Sequence, residues 1–335
     1  MDFTELIDLA AERLGGAVLA ANDEFFAPKE NLLKPGKPIF IEGKYTDVGK
    51  WMDGWETRRR RTPGFDWCII RLGLPGILRG VVVDTSHFKG NYPEHCSIEA
   101  CVLDGHPDVG QLTSASTQWT ELLPKSSLSG DAENPFAIDN PQRFTHLRFK
   151  IYPDGGVARL RVYGEVVPDW TRLGHSRSEV DLAAVESGGL VVACSDMFFG
   201  SRHNLIMPGR AANMSDGWET RRRRGPGHDW VIIKLGTSGT IRRVEVDTSH
   251  FKGNYPESCQ LKASSAPATA KDPSGLSTLS WVEVLPRTKL QPHTRHFFEK
   301  ELKDASAVTH VRFNIYPDGG VSRLRVMGTV SGSKS

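Results

Sequence analysis

DGWETRRRR at residues 53–61 recurs letter for letter at 216–224, and DTSHFKGNYPE at 84–94 recurs at 247–257. Both copies stand at an offset of 163. Upstream the offset is 173. There Asp8-Leu9-Ala10-Ala11 returns as Asp181-Leu182-Ala183-Ala184, Gly15-Gly16 as Gly188-Gly189, and Asp23-Glu24-Phe25-Phe26 as Asp196-Met197-Phe198-Phe199. The first copy therefore holds ten extra residues between about Leu33 and Asp53. Downstream, Trp119 matches Trp281 and Leu123-Pro124 matches Leu285-Pro286 at 162. IYPDGGV (151–157) matches 315–321 and RLRV (159–162) matches 323–326 at 164. Two copies of a unit of about 150 residues describe two domains of one fold, since solenoid periods are roughly 20–50 residues. The expected division is a first unit over 1–168, a linker over 169–180 and a second unit over 181–335. The terminal SGSKS (331–335) is expected to lie outside the packed fold.

Within each copy the signals are those of strands. Residues 66–72 (DWCIIRL) and 229–235 (DWVIIKL) are short and rich in β-formers, as are 81–83, 145–152 and 157–163. The last two alternate apolar and basic residues, the period of a half-buried strand. Gly and Pro punctuate these runs every 8–12 residues or so, as in a sandwich or barrel. The fold expected is all-β: two tandem jelly-roll β-sandwich domains. A short N-terminal helix is expected over 4–14, capped by Thr4 and stopped by Gly15. The chain is expected to turn through LPGILRG (74–80), so that strands near 66–72 and 81–84 pair antiparallel. Both motif loops then lie at one end of the domain. IYPDGGV is a third candidate for that rim.

Composition excludes several classes of function. The 335 residues include 42 Lys and Arg against 40 Asp and Glu, a net charge of +2 with 39% hydrophobic residues. That balance marks neither a dedicated nucleic-acid binder nor an anionic-membrane binder. No apolar run spans a bilayer. The N-terminus carries acids and lacks a basic, apolar secretory signal, so a cytoplasmic location is expected. Five cysteines (68, 96, 101, 194, 259) without tight spacing read as reduced thiols. GxxxxGK[ST], strand–GxGxxG–helix, HExxH, GxSxG and CxxC are all missing. No cofactor is expected, with a divalent cation at Asp84 and His87 left open.

The polar loops are spelled identically while the strands have drifted, as in Cys68 against Val231 and Val82 against Glu245. Cores tolerate volume-conserving swaps, so identical polar spelling favours a role beyond packing. Each motif also has a plainer reading. Arg58 to Arg61 suit a solvated face, Asp84 and Asp247 a turn cap. His87 and His250 suit structural hydrogen bonding, and Trp55 and Trp218 packing under loops. Lys89 and Asn91 sit between Gly90 and Pro93 on a loop, where functional residues concentrate.

DGWETRRRR-x-PG-x-DW-x-II-[RK]-LG and VDTSHFKGNYPE, with the opening ERLGGAVLAANDEFFAPKENLL, resemble the allantoicase family over nearly the whole chain. The resemblance implies paired jelly-roll domains like galactose-binding modules and a homo-oligomer. It implies hydrolysis of allantoate to ureidoglycolate and urea in purine and allantoin degradation, with allantoate the small-molecule partner. Phe65 departs from the family pattern, which has a His there; the second copy has His228. A carboxylate bearing two ureido groups suits the loop chemistry. Arg58 or Arg59, and Arg221 or Arg222, can clamp the carboxylate. Glu56, Asp84 and Asn91, with Asp247 and Asn254, can accept ureido N–H groups. Glu56 and His87, with Glu219 and His250, are the expected acid–base groups. Lys89 and Lys252 can hold the carboxylate or meet developing negative charge. The alternatives are urea release from ureidoglycolate, and a non-catalytic tandem module binding a small polar ligand.

Overall fold

The computed structural model describes residues 2–170, 179–266, 276, 279–305 and 307–331. The chain divides into two compact units, Met1–Val167 and Pro168–Ser335. Most of the expected linker (171–178) and the last four residues of the tail (332–335) lie outside the described residues. Each unit is built on one eight-stranded antiparallel sheet. The five-residue Val109–Thr113 is the α-helix of the first unit. The all-β, two-unit expectation agrees with this architecture.

The organising element of the first unit is the strand Asp66–Asp84. Its first half pairs with Arg143–Tyr152 on one side and Ala17–Ala21 on the other. Its second half pairs with Arg159–Val166 and Glu133–Ala137. Between them the register jumps from Arg71 to Gly76, so residues 72–75 loop out of the ladder beside Arg143–Tyr152. This differs from the expected hairpin. The two halves do not pair with each other; one bent strand serves two sets of neighbours, as a bulge with Gly and Pro allows. The functional consequence is unchanged. Ile151 lies opposite Asp66 and Arg159 opposite Asp84. The turn between residues 152 and 159 therefore holds both ends of the bent strand at one rim. In the second unit Asp229–Asp247 does the same, with residues 235–238 out of register against Val308–Tyr316.

IYPDGGV belongs to that rim. Gly156 N–H donates to Asn91 O (2.7 Å) and Thr57 N–H to Gly155 O (3.1 Å). Gly155 has φ 138°, and a Cβ there would sit 2.7 Å from Asn91 O. Only glycine meets both demands. Gly319 repeats the arrangement against Asn254 O.

The N-terminal helix is not formed. Phe3–Glu5 and Glu12–Leu14 are 3-10 turns, and Ile7–Asp8 between them is a strand paired with Arg159–Val166. The Asp2 side chain, rather than Thr4, caps the first turn. Eleven residues make a marginal helix alone. Here Leu9 N–H donates to Val162 O (2.7 Å), and the Asp8 carboxylate accepts from Ala10 and Val162 N–H groups. Gly15 does stop the second turn, with φ 95°.

His146 sits on the strand Arg143–Tyr152 and is 2% exposed. Its Nδ1 is 2.8 Å from Thr145 Oγ1, while Nε2 is buried without a partner among the described residues. Burial, with Arg71 nearby, pushes its pKa down to about 4 from 6.5. The unfolded chain takes a proton that the folded ring refuses, so stability falls as pH drops from 6.5 towards 4. At 1.36 kcal/mol per unit the contribution is about 3 kcal/mol. Urea unfolding of the wild type and His146→Gln at pH 7 and 4.5 checks this: the variant should lose that part of the acid slope.

Candidate active site

At the first unit's rim a cavity of about 450 Å³ is lined by Phe26, Phe40, Lys50, Met52, Glu56, His87, Lys89, Gly90 and Asn91. Four expected site residues, Glu56, His87, Lys89 and Asn91, therefore share one wall system. Across 35 residues of sequence the two motif loops meet in one bond: Asn91 Nδ2 donates to Glu56 Oε1 at 2.7 Å. Glu56 is anchored through its backbone, with N–H donating to Ala27 O (3.1 Å) and Gly156 opposite it in a two-residue ladder. Burial pushes the Glu56 carboxyl above the ordinary glutamate range, against the opposing hydrogen bond from Asn91. Its second oxygen has no hydrogen-bond partner among the described residues.

His87 has φ 71°, in the left-handed region. A non-glycine residue held there costs free energy, and such positions cluster at functional sites. Its N–H donates to Asp131 Oδ1 (2.7 Å), and Nε2 lies 3.3 Å from Pro38 O. A carbonyl only accepts, so Nε2 carries the hydrogen and Nδ1 is left as the ring's acceptor. Lys89 Nζ is 3.8 Å from Asp131 Oδ2. Asp131, itself at φ 53°, thus supports both cavity residues, though nothing in its sequence context marks it.

The remaining expected residues lie elsewhere. Asp84 is 6% exposed and accepts from Ser86 N–H (2.8 Å), which is the turn-capping role. Arg58 pairs with Asp23 (Nε to Oδ2, 2.6 Å) and lies over Phe25. Arg59 is exposed and makes no ion pair among the described residues. Neither arginine lines the cavity. Arg60 secures the rim, through Asp66 (2.7 Å) and through its N–H to Asp154 (2.8 Å). Trp55 is fully buried and donates to Asp23 O (2.8 Å).

The second unit repeats the plan. Asn254 donates to Glu219, and His250, again at φ 71°, places Nε2 2.9 Å from Ala211 O. Its N–H meets His293 Nδ1 (2.8 Å), which replaces Asp131. His293 and His296, three residues apart as metal ligands can be, both accept from backbone N–H groups, His296 from Gln291. Asp247 is 1% exposed, accepts from Ser249 N–H and borders a 250 Å³ cleft with Arg210, Glu245 and Arg295. Arg221 pairs with Asp196 (2.9 Å); Arg222 and Lys252 are exposed. Phe65 lies 5.4 Å from Tyr152, and His228 4.7 Å from Tyr316.

Sequence reasoning missed Phe40, Lys50 and Met52, because they lie in the segment unique to the first copy, which by sequence suits an oligomer contact, a lid or a plain loop. It missed Phe26 because a repeated aromatic also suits a core. Among the described residues no three His, Cys, Asp or Glu groups gather as metal ligands. The five cysteines form no disulfide, and Cys68, Cys96, Cys101 and Cys259 are buried. No helix among the described residues is long and apolar enough to cross a membrane.

The family model for the allantoicase repeat matches residues 7–167 and again 180–331, one match per unit. The chain belongs to the allantoicase family. It is 51% identical over 326 residues to a probable allantoicase 1 of Burkholderia mallei, covering 97% of this chain and 94% of that one. It is 49% identical over 333 residues to an allantoicase of Dictyostelium discoideum, covering 99% and 89%. The crystal structure of the Saccharomyces cerevisiae allantoicase superposes with a TM-score of 0.79 at 38% identity, covering 96% and 92%. Both allantoicase repeats keep the Glu–Asn bond and the left-handed His. They differ in what surrounds them.

Proposed function

We propose that this member of the allantoicase family is a hydrolase that converts allantoate and water to ureidoglycolate and urea, using the cavity of the first unit. The observation that carries the reading is the convergence of Glu56, His87, Lys89 and Asn91 on one half-open cavity. Its 450 Å³ is of the size that takes a small ligand. Two lysines in its wall suit a carboxylate, and Asn91 suits a ureido group.

The reaction joins a water oxygen to the central carbon, while the C–N electron pair leaves with one urea. One proton must leave the water and one must reach the departing nitrogen. Burial makes Glu56 a stronger base than an ordinary carboxylate, and the Asn91 bond holds it in place. It therefore takes the water proton. His87 Nδ1 delivers the other, its ring fixed by the Pro38 carbonyl. The cycle closes when Glu56 passes its proton to His87 through solvent. No cofactor enters this scheme. A homo-oligomer, as the family resemblance implies, and a cytoplasmic location, as the N-terminus and the reduced cysteines suggest, complete the reading.

The test is the purified, chelator-treated protein with allantoate, following urea and ureidoglycolate. The expected result is equal formation of both products. A folded protein that forms neither, with or without restored manganese or zinc, would overturn the reading. Recovery only with metal would move Asp84 and His87 towards ligand roles.

A further inference from the structure

Both units fasten the connection that follows their 3-10 turns Lys29–Leu33 and Arg202–Ile206 by the same two anchors. In the first, Pro38 O meets His87 Nε2 and Ile39 N–H donates to Asp53 Oδ2 (3.0 Å). In the second, Ala211 O meets His250 Nε2 and Ala212 N–H donates to Asp216 Oδ2 (3.1 Å). Between the anchors the first unit has residues 40–52, thirteen in all, and the second has Asn213, Met214 and Ser215. The difference, 13 − 3, is the whole ten-residue excess. It sits in the cavity wall rather than in a remote loop.

The inserted segment is ordered by its own contacts. Tyr45–Thr46 pairs antiparallel with Gly49–Lys50, and Trp51 N–H donates to Lys44 O (3.0 Å). Gly49 (φ 152°) faces the Phe26 ring, which a Cβ there would meet at 3.5 Å. The hairpin so placed holds Lys50 Nζ 4.5 Å from the Phe40 ring centroid, and Phe40 lies 5.7 Å from the His87 ring. Lys50 makes no ion pair among the described residues, whereas Arg58 is spent on Asp23. An unpaired ammonium beside the candidate acid–base groups is where a substrate carboxylate finds its partner.

We infer that Lys50 binds the carboxylate of the substrate, and that the hairpin presenting it makes the first unit the one that captures substrate at low concentration. The inference rests on the proposed allantoate reaction. The three residues 213–215 supply no cation, so the second unit keeps the Glu–Asn–His framework without this partner. Loss of a charge-assisted hydrogen bond acts in the ground state and the transition state alike, so it raises KM and spares kcat.

Lys50→Met should raise the KM for allantoate roughly 10- to 100-fold with kcat changed by less than about threefold. Lys50→Arg should restore most of the lost affinity. Methylenediurea, which has the same two ureido groups and no carboxylate, should inhibit the wild type and Lys50→Met equally. Replacing residues 40–52 by Asn-Met-Ser keeps both anchors but also takes Phe40 and Met52 from the cavity wall, so it should lower kcat/KM at least as far as Lys50→Met does while a folded melting transition persists. An unchanged KM in Lys50→Met would overturn the inference, as would a matching loss of methylenediurea inhibition, which would make Lys50 a shape element only. A kcat/KM within about threefold of wild type in the grafted chain would return the chemistry to the second unit. In each of those cases the wild type still hydrolyses allantoate. A wild type that does not would fail the functional reading itself, and the inference with it.

Discussion

Glu56→Gln should lower kcat by roughly 10²–10⁴-fold, the span of a lost general base. The substitution is close to isosteric, and its amide oxygen can still accept from Asn91. The backbone bond to Ala27 is untouched, so the fold should hold. The pH profile gives a second reading of the same role. Glu56 acts as a base only when ionised, and burial places its pKa above the ordinary glutamate value. The acid limb of kcat/KM should therefore fall at a pH above the usual carboxylate range, with activity lost as pH drops through it. In Glu56→Gln that limb should vanish from the residual activity. Steady-state rates across pH, beside thermal melts, check both points. Wild-type kcat in a folded Glu56→Gln would remove Glu56 from the chemistry.

Asp53→Ala should cost about 3–5 kcal/mol of stability, the penalty for stranding a buried partner charge. Arg159 Nη2 donates to Asp53 Oδ2 at 2.6 Å, with side-chain exposures of 4% and 7%. Arg159 Nη1 donates to Asp53 O and Ala158 O, and Nε is buried without a hydrogen-bond partner among the described residues. Burial raises the Asp53 pKa, but the Arg159 bond, the Ile39 N–H and the charges of Arg159 and Lys34 outweigh it and hold it below the usual range. A depressed folded pKa means stability present above the unfolded value and lost as pH falls towards the folded one. Wild type should lose this contribution in acid, and Asp53→Ala should have none to lose. Asp216 makes the equivalent bond to Arg323 at 2.9 Å but is 25% exposed. Solvent can take up more of that loss, so Asp216→Ala should cost less. Denaturant unfolding of the two variants measures the difference. A loss below about 1 kcal/mol for Asp53→Ala would refute the burial argument. The same variant frees Ile39 N–H, so the hairpin 40–52 should loosen and KM rise.

Much of the architecture is legible in the chain. An offset of 163 that persists through two long motifs requires two copies of one unit. The 66–72 and 81–84 runs are strands, and their motif loops do meet at one rim. Their pairing was not legible. Whether two β-runs joined by LPGILRG form a hairpin or one bent strand depends on which neighbours compete for their edges, and those neighbours lie far off in sequence. The N-terminus shows the same limit. Apolar spacing over 4–14 suits a helix, yet the free edge of Arg159–Val166 takes Ile7–Asp8 as a strand.

What the sequence by itself determined is the family, the duplication, the all-β class and the side-chain chemistry of the repeated loops. Residue type and spacing carry that information directly. Tertiary structure alone decided which of those side chains share a cavity. Glu56, His87, Lys89 and Asn91 gather; Arg58 is drawn to Asp23 and Asp84 to a turn, because each polar group takes the nearest partner that folding supplies. It also decided what the extra ten residues do. By sequence they suit an oligomer contact, a lid or a plain loop alike. Only the anchors at Pro38, Ile39 and Asp53, distant in sequence from His87 and Arg159, turn them into the wall that sets Lys50 beside the site.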